Sequence, residues 1–148
     1  MKITSLLSLV AVGPLVALAA TASVSYDQTY DNGSNSLDIV ACSNGDNGME
    51  VFGFTDFQSL PNFPFIGAAG AIGGFNSPNC GTCWELTYTN PKGVSKSINI
   101  LAIDHAAVGT FNIALEAMNV LTDNQAVQLG RVNVQFQQVA ASACGLNV

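Results

Sequence analysis

From residue 131 the chain alternates strictly, Arg131-Val132-Asn133-Val134-Gln135-Phe136-Gln137. Val132, Val134 and Phe136 therefore fall on one face of an extended strand, which predicts a core-facing side. Residues 24–26, 37–42, 84–89 and 97–103 also have strand character. One segment has a different period. Phe111, Ala114, Leu115, Met118 and Leu121 recur at three- and four-residue intervals after Thr110, a residue type that caps helices, so the spacing predicts a helix over 111–121. Turn residues punctuate the first half at Asp31-Asn32-Gly33, Asn44-Gly45-Asp46-Asn47-Gly48, Leu60-Pro61-Asn62-Phe63-Pro64 and Gly73-Gly74-Phe75-Asn76. Gly and Asn accept positive φ and Pro fixes φ, so long helices are not expected there. Short strands, one or two short helices and no βαβ rhythm predict a mainly β domain, a closed or nearly closed barrel.

The first residues do not belong to that pattern. Lys2 precedes an apolar run from Leu6 to Ala20 that is too short to span a bilayer and is interrupted by Gly13-Pro14. A basic start, an apolar stretch and small residues flanking Thr21 describe an export leader over residues 1–22. Cleavage is expected after Ala22, with Ala19 or Ala20 as neighbouring alternatives. Residues 23–148 then form a single domain, of a size that supports one core.

Export changes the charge. Loss of Lys2 takes the formal net charge from −6 to −7 and leaves Lys92, Lys96 and Arg131 as the cations against ten carboxylates. Such a surface is a poor partner for nucleic acid or an anionic membrane. Its abundance of neutral hydrogen-bonding side chains suits an uncharged polymer such as a polysaccharide.

Four cysteines in an exported chain of this size point to two disulfides. Cys80-Gly81-Thr82-Cys83 has redox spacing, but it leads into strand-like sequence rather than a helix, and Cys42 and Cys144 lack the close pairing of a zinc knuckle. No metal or cofactor is expected. Three connectivities are open. Joining Cys80 to Cys83 would leave Cys42 and Cys144 to bridge almost the whole domain; Cys42–Cys80 with Cys83–Cys144 is preferred.

Among the polar residues, Asp104 ends an apolar run and precedes His105, the single histidine. A carboxylate there can serve as an acid, accept from sugar hydroxyls, or simply anchor a loop through backbone amides. No serine sits in a G-x-S-x-G elbow. The glycines at 67, 70, 73 and 74 match no phosphate-binding pattern and are expected to form a loop. Tyr26 and Tyr30, flanked by Asp27, Asp31 and Asn32, are the aromatics expected to be exposed and able to stack on sugar rings, whereas Trp84 is expected in the core. Asn32-Gly33-Ser34 fits the N-glycosylation pattern.

The ordered motifs Val24-Ser25-Tyr26-Asp27-x-x-Tyr30-Asp31, Val40-Ala41-Cys42-Ser43-Asn44-Gly45-x-Asn47-Gly48 and Asn76-Ser77-Pro78-Asn79-Cys80-Gly81-Thr82-Cys83-Trp84 resemble those of the cerato-platanin family, small secreted proteins of filamentous fungi. So do Ala102-Ile103-Asp104-His105-Ala106, Gly109-Thr110-Phe111-Asn112-Ile113-Ala114, Ala117-Met118-Asn119 and Cys144-Gly145. The resemblance implies a double-psi β-barrel like the first domain of expansins, and the same disulfide pairing as that preferred above. It also implies a shallow groove for chitin fragments, that is N-acetylglucosamine oligomers, or another wall polysaccharide. Members are wall-associated or released, are detected by plants as defence elicitors, and in some cases self-assemble or loosen cellulose without cutting it. A plant surface receptor and self-association are thus further expected partners. Asp104 matches the aspartate that aligns with the catalytic acid of related hydrolases, but no second carboxylate takes the role of base. The expectation is carbohydrate binding without catalysis, through Asp104, Asn112, Tyr26, Asp27 and Tyr30. The alternatives are a surface-active coat protein and a weak glycosidase using Asp104.

Overall fold

The computed structural model describes residues 12–13 and 19–147. Most of the expected leader lies outside the described residues. Six strands, β1 (Ala20–Tyr26), β2 (Ile66–Ala69), β3 (Cys83–Thr89), β4 (Ser95–His105), β5 (Thr110–Ile113) and β6 (Arg131–Val139), close into a barrel in the order β1-β5-β2-β4-β3-β6. β1 runs parallel to β5 and β2 parallel to β4, while the remaining pairs are antiparallel. This is the barrel class expected from the sequence. Two helices, α1 (Leu115–Thr122) and α2 (Ala126–Leu129), follow β5.

Alternation decides what fills the barrel. Val24, Leu86, Ile98, Ile100, Phe111, Ile113, Val132 and Val134 are buried in one continuous core, with the partly buried Phe136 packed against it. Trp84, Phe111 and Phe136 meet at centroid distances of 5.5–5.9 Å. Trp84 is therefore packed against the core, although half-buried.

Three expectations need correction. The first concerns residues 37–42, which form no strand: Leu37–Ile39 is a 3-10 turn, capped by the Ser36 hydroxyl accepting from the Asp38 amide at 3.1 Å. Leu37 and Val40 face inward while Ile39 is 57% exposed, a spacing that a strand cannot satisfy. The second concerns the helix predicted over 111–121, which starts only at Leu115. Phe111 and Ile113 point inward with Asn112 outward as β5, and Thr110 Oγ1 donates to the Ala107 carbonyl instead of capping a helix. The third concerns the expected glycine loop, which contains β2. A Cβ at Gly67 would stand 2.5 Å from the Asn112 carbonyl oxygen and 2.7 Å from Ile113 Cα, so the close approach of β2 to β5 requires glycine.

The disulfides are Cys42–Cys80 and Cys83–Cys144, closing 38- and 61-residue separations. Chain-entropy arithmetic for loops of that size gives about 4 kcal/mol each. The first ties the excursion between β1 and β2 to the segment before β3, and the second ties β3 to the C-terminal turn.

Candidate functional site

Strand order assembles the site. Asp104 on β4 stands opposite Ala68 on β2, Ala68 opposite Asn112 on β5, Asn112 opposite Ser25 on β1, and Ser25 opposite Arg131 on β6. Paired residues share a face, so these five form one row across the outside of the barrel. Ala68, 2% exposed, is a small floor between the two polar side chains. At about 4.8 Å per strand, Asp104 and Asn112 are separated by about 10 Å. The row is hydrogen-bonded at one end: Ser25 Oγ donates to Asn112 Oδ1 at 3.0 Å, and Arg131 donates to Ser23 Oγ at 2.8 Å and Ser25 Oγ at 3.3 Å. The Asn112 amide nitrogen donates to no described group and stays available.

At the other end Asp104 is an acceptor for three donors. Its Oδ1 takes the Ala41 amide at 2.9 Å and the His105 amide at 2.8 Å, and its Oδ2 takes the Tyr30 hydroxyl at 2.8 Å. The carboxylate thereby clamps the excursion after β1 onto the barrel. Tyr30 is 5% exposed and packs on Phe57 at 6.1 Å, contrary to the exposure expected from its polar neighbours. Burial, then the charge and hydrogen bond of Asp104, with Asp27 adding to them, push its phenol far above the ordinary range. It remains a donor at any physiological pH.

The other acidic residues have structural partners. Asp27 Oδ1 accepts the Thr29 amide at 2.8 Å and caps the 3-10 turn Gln28–Asp31 that carries Tyr30. Asp31 accepts the amides of Leu115 and Glu116, both at 2.8 Å, and so caps α1 from 84 residues upstream. Tyr26 is half-buried at the end of β1, opposite Ile113. The structure thus brings Asp104 and Tyr30 together, places Asp27 beside them, and puts Asn112 two strands away on the same face. Ser25, Ala68 and Arg131 were missed, and only strand pairing could have added them.

Concavities of about 470, 360, 400 and 210 Å³ occur among the described residues, and none is lined by Asp104, Asn112 or Tyr30. Among those residues there is also no cluster of metal-ligating side chains. The exposed His105 uses Nδ1 on the Ile72 carbonyl.

Comparison with known proteins agrees with this fold. The family profile Cerato-platanin matches residues 22–146. The "Heat-stable 19 kDa antigen" of Coccidioides posadasii is 46% identical over 129 residues, spanning 87% of this chain and 84% of that protein. The crystal structure of cerato-platanin 2 from M. perniciosa superposes with a TM-score of 0.80 at 52% identity, covering 86% of this chain and all of the other. A solution structure of "the fungal elicitor Cerato-Platanin" superposes at 0.70 and 39% identity, covering 82% and 95%. With the profile spanning nearly the whole barrel, both disulfides in the expected pairing and a fold shared with solved members, this chain belongs to the cerato-platanin family.

Proposed function

We propose that this protein is a secreted, non-catalytic carbohydrate-binding protein of the fungal wall, expansin-like in action, which binds N-acetylglucosamine oligomers or chitin and acts as an elicitor of plant defence. The observation that carries the reading is the row of partly exposed polar side chains Asp104, Asn112 and Ser25 on one outer face of the barrel, with the buried Ala68 between the first two. A sugar hydroxyl donates to the remaining acceptor capacity of Asp104, and the free Asn112 amide nitrogen donates to an acetamide carbonyl. Their spacing calls for an oligomer rather than a single sugar. Tyr30 holds the carboxylate in place, while Tyr26, paired with the inward-facing Ile113, lies on the opposite face of β1 from Ser25 and packs against the core, so the row binds through its polar groups. A shallow, solvated site gives weak affinity, about micromolar or weaker.

Hydrolysis fits the arrangement poorly. An inverting glycosidase holds an acid and a base about 6.5–9.5 Å apart. Asp104 has both oxygens committed to donors, and Asp27 and Asp31 are occupied as caps. The elicitor role rests on the relative of that description; export rests on the leader and the two disulfides.

The test is a titration of labelled protein with N-acetylglucosamine oligomers, followed by NMR. Saturable shifts are expected at Asp104, Asn112 and Ser25 and should weaken in Asp104→Asn and Asn112→Ala. No saturable shift at millimolar oligomer, or shifts confined to another face, would refute the reading. A surface-active coat is the second reading, favoured by Val108 and Phe75, 93% and 65% exposed. Film formation at an air–water interface that is lost on replacing both residues with serine would support it.

A further inference from the structure

The register of β1 bears on where the leader ends. Ala20, Thr21 and Ala22 are not a linker: they pair with Phe136, Gln135 and Val134 of β6, and Ala22 is 6% exposed. They make up half of the six pairs that close the barrel between β1 and β6. A cut after Ala22, the position read from the sequence, would remove that half of the seam and leave Val134, Gln135 and Phe136 without neighbours on that side.

The same seam offers a place for a new chain end. The concavity of about 470 Å³ is lined by Ala19, Ala20, Glu85, Thr87, Gln135 and Gln137, together with Phe136. Glu85 is the single titratable group in that lining. Its Oε1 accepts from Gln137 Nε2 at 2.8 Å, while its second oxygen has no partner among the described residues. Glu85 pairs with Gln137, and Ala20 with Phe136, so Ala19 continues the register at the level of Gln137 and Glu85. Removing Ala19 would leave the Ala20 α-ammonium at the edge of that concavity, across β6 from Glu85 with backbones about 10 Å apart, a gap that the Glu85 side chain has to span over Gln137.

We propose that the leader is cut after Ala19, within the small-residue pattern Ala17-Leu18-Ala19, and that the new α-ammonium of Ala20 docks beside Glu85 and fastens the barrel seam. This rests on residues 1–22 containing a cleaved leader, and among the boundaries read from the sequence it favours Ala19 over Ala22. The pairing is formed only after processing, so leader removal completes the seam with an ion pair where the precursor has a neutral peptide.

Intact mass and N-terminal sequencing of the full-length chain secreted from a filamentous fungal host should give residues 20–148. A mature chain beginning at Thr21 or Ser23 overturns the proposal while leaving the leader reading intact. A secreted product that retains residues 1–19 overturns both. In the processed protein, NMR titration of the α-amino group should give a pKa above its ordinary value of about 7.7–8.0, returning toward it in Glu85→Gln. An amine whose titration is the same in both proteins overturns the docking half of the proposal.

Discussion

Tyr30→Phe tests whether Asp104 is held by the phenol. The substitution keeps the ring that packs on Phe57 and deletes the hydroxyl that donates to Asp104 Oδ2 at 2.8 Å. A hydrogen bond to a charged group contributes about 1.5–3 kcal/mol, and because Asp104 is only half-buried, water recovers part of it, so the expected loss is about 1.5 kcal/mol. That is roughly a tenfold fall in the folded-to-unfolded ratio, and a Tm lower by about 4–8 °C. Urea unfolding with the disulfides intact should show a lower midpoint at unchanged m. The decisive measurement is a double-mutant cycle. In an Asp104→Ala background the phenol has lost its acceptor, so Tyr30→Phe should then cost almost nothing, giving a coupling of about 1–1.5 kcal/mol. Equal costs in the two backgrounds would refute the clamp. The pH dependence carries the same signature. Because the folded phenol ionises far above the unfolded value of about 10, its contribution is complete below pH 10 and declines as the pH rises beyond it. The stability gap between the native protein and Tyr30→Phe should therefore narrow above pH 10.

Asp31→Ala removes the acceptor for two α1 amides and should cost about 1–2 kcal/mol in urea unfolding, with Asp31→Asn recovering part of it. Gly67→Ala drives a Cβ into the Asn112 carbonyl; the expected cost is about 3 kcal/mol or more, read as a collapse in secreted yield or a much lower Tm. Reduction of both disulfides withdraws about 4 kcal/mol each, so circular dichroism of the reduced protein at 37 °C should show loss of the native fold.

The sequence was most legible where one period ruled. β6 alternates without interruption, and its inward residues are those the alternation picks out. The 111–121 segment misled because Phe111 and Ile113 obey a period of two while the residues from Leu115 obey a helical period, and no Gly or Pro marks the switch at Ala114. β2 was hidden for the opposite reason: Ile66, Gly67, Ala68 and Ala69 are all buried, so they show no alternation, and the glycines around them look like a turn. Asp104 stood out in the sequence, and the disulfide pairing was the preferred one. The burial of Tyr30 was not legible, since its local neighbours are polar and its hydroxyl's partner lies 74 residues away. The rest of the row, Ser25, Ala68 and Arg131, exists only once the strand order is known.

Because the barrel is closed, every described strand is paired on both sides over part of its length, and the edges left over, Ala20–Ala22 on the β5 side of β1 and the first half of β4 on its β2 side, are short. Such short edges offer little to a second chain, so copies of the intact molecule that associate should do so mainly through side-chain surfaces, and stacking into β-fibrils would first require a ring of hydrogen bonds to part. Two covalent ties and the Asp104 clamp oppose that opening, so films and oligomers formed by the native protein should keep its secondary structure, whereas reducing conditions remove two of those restraints together.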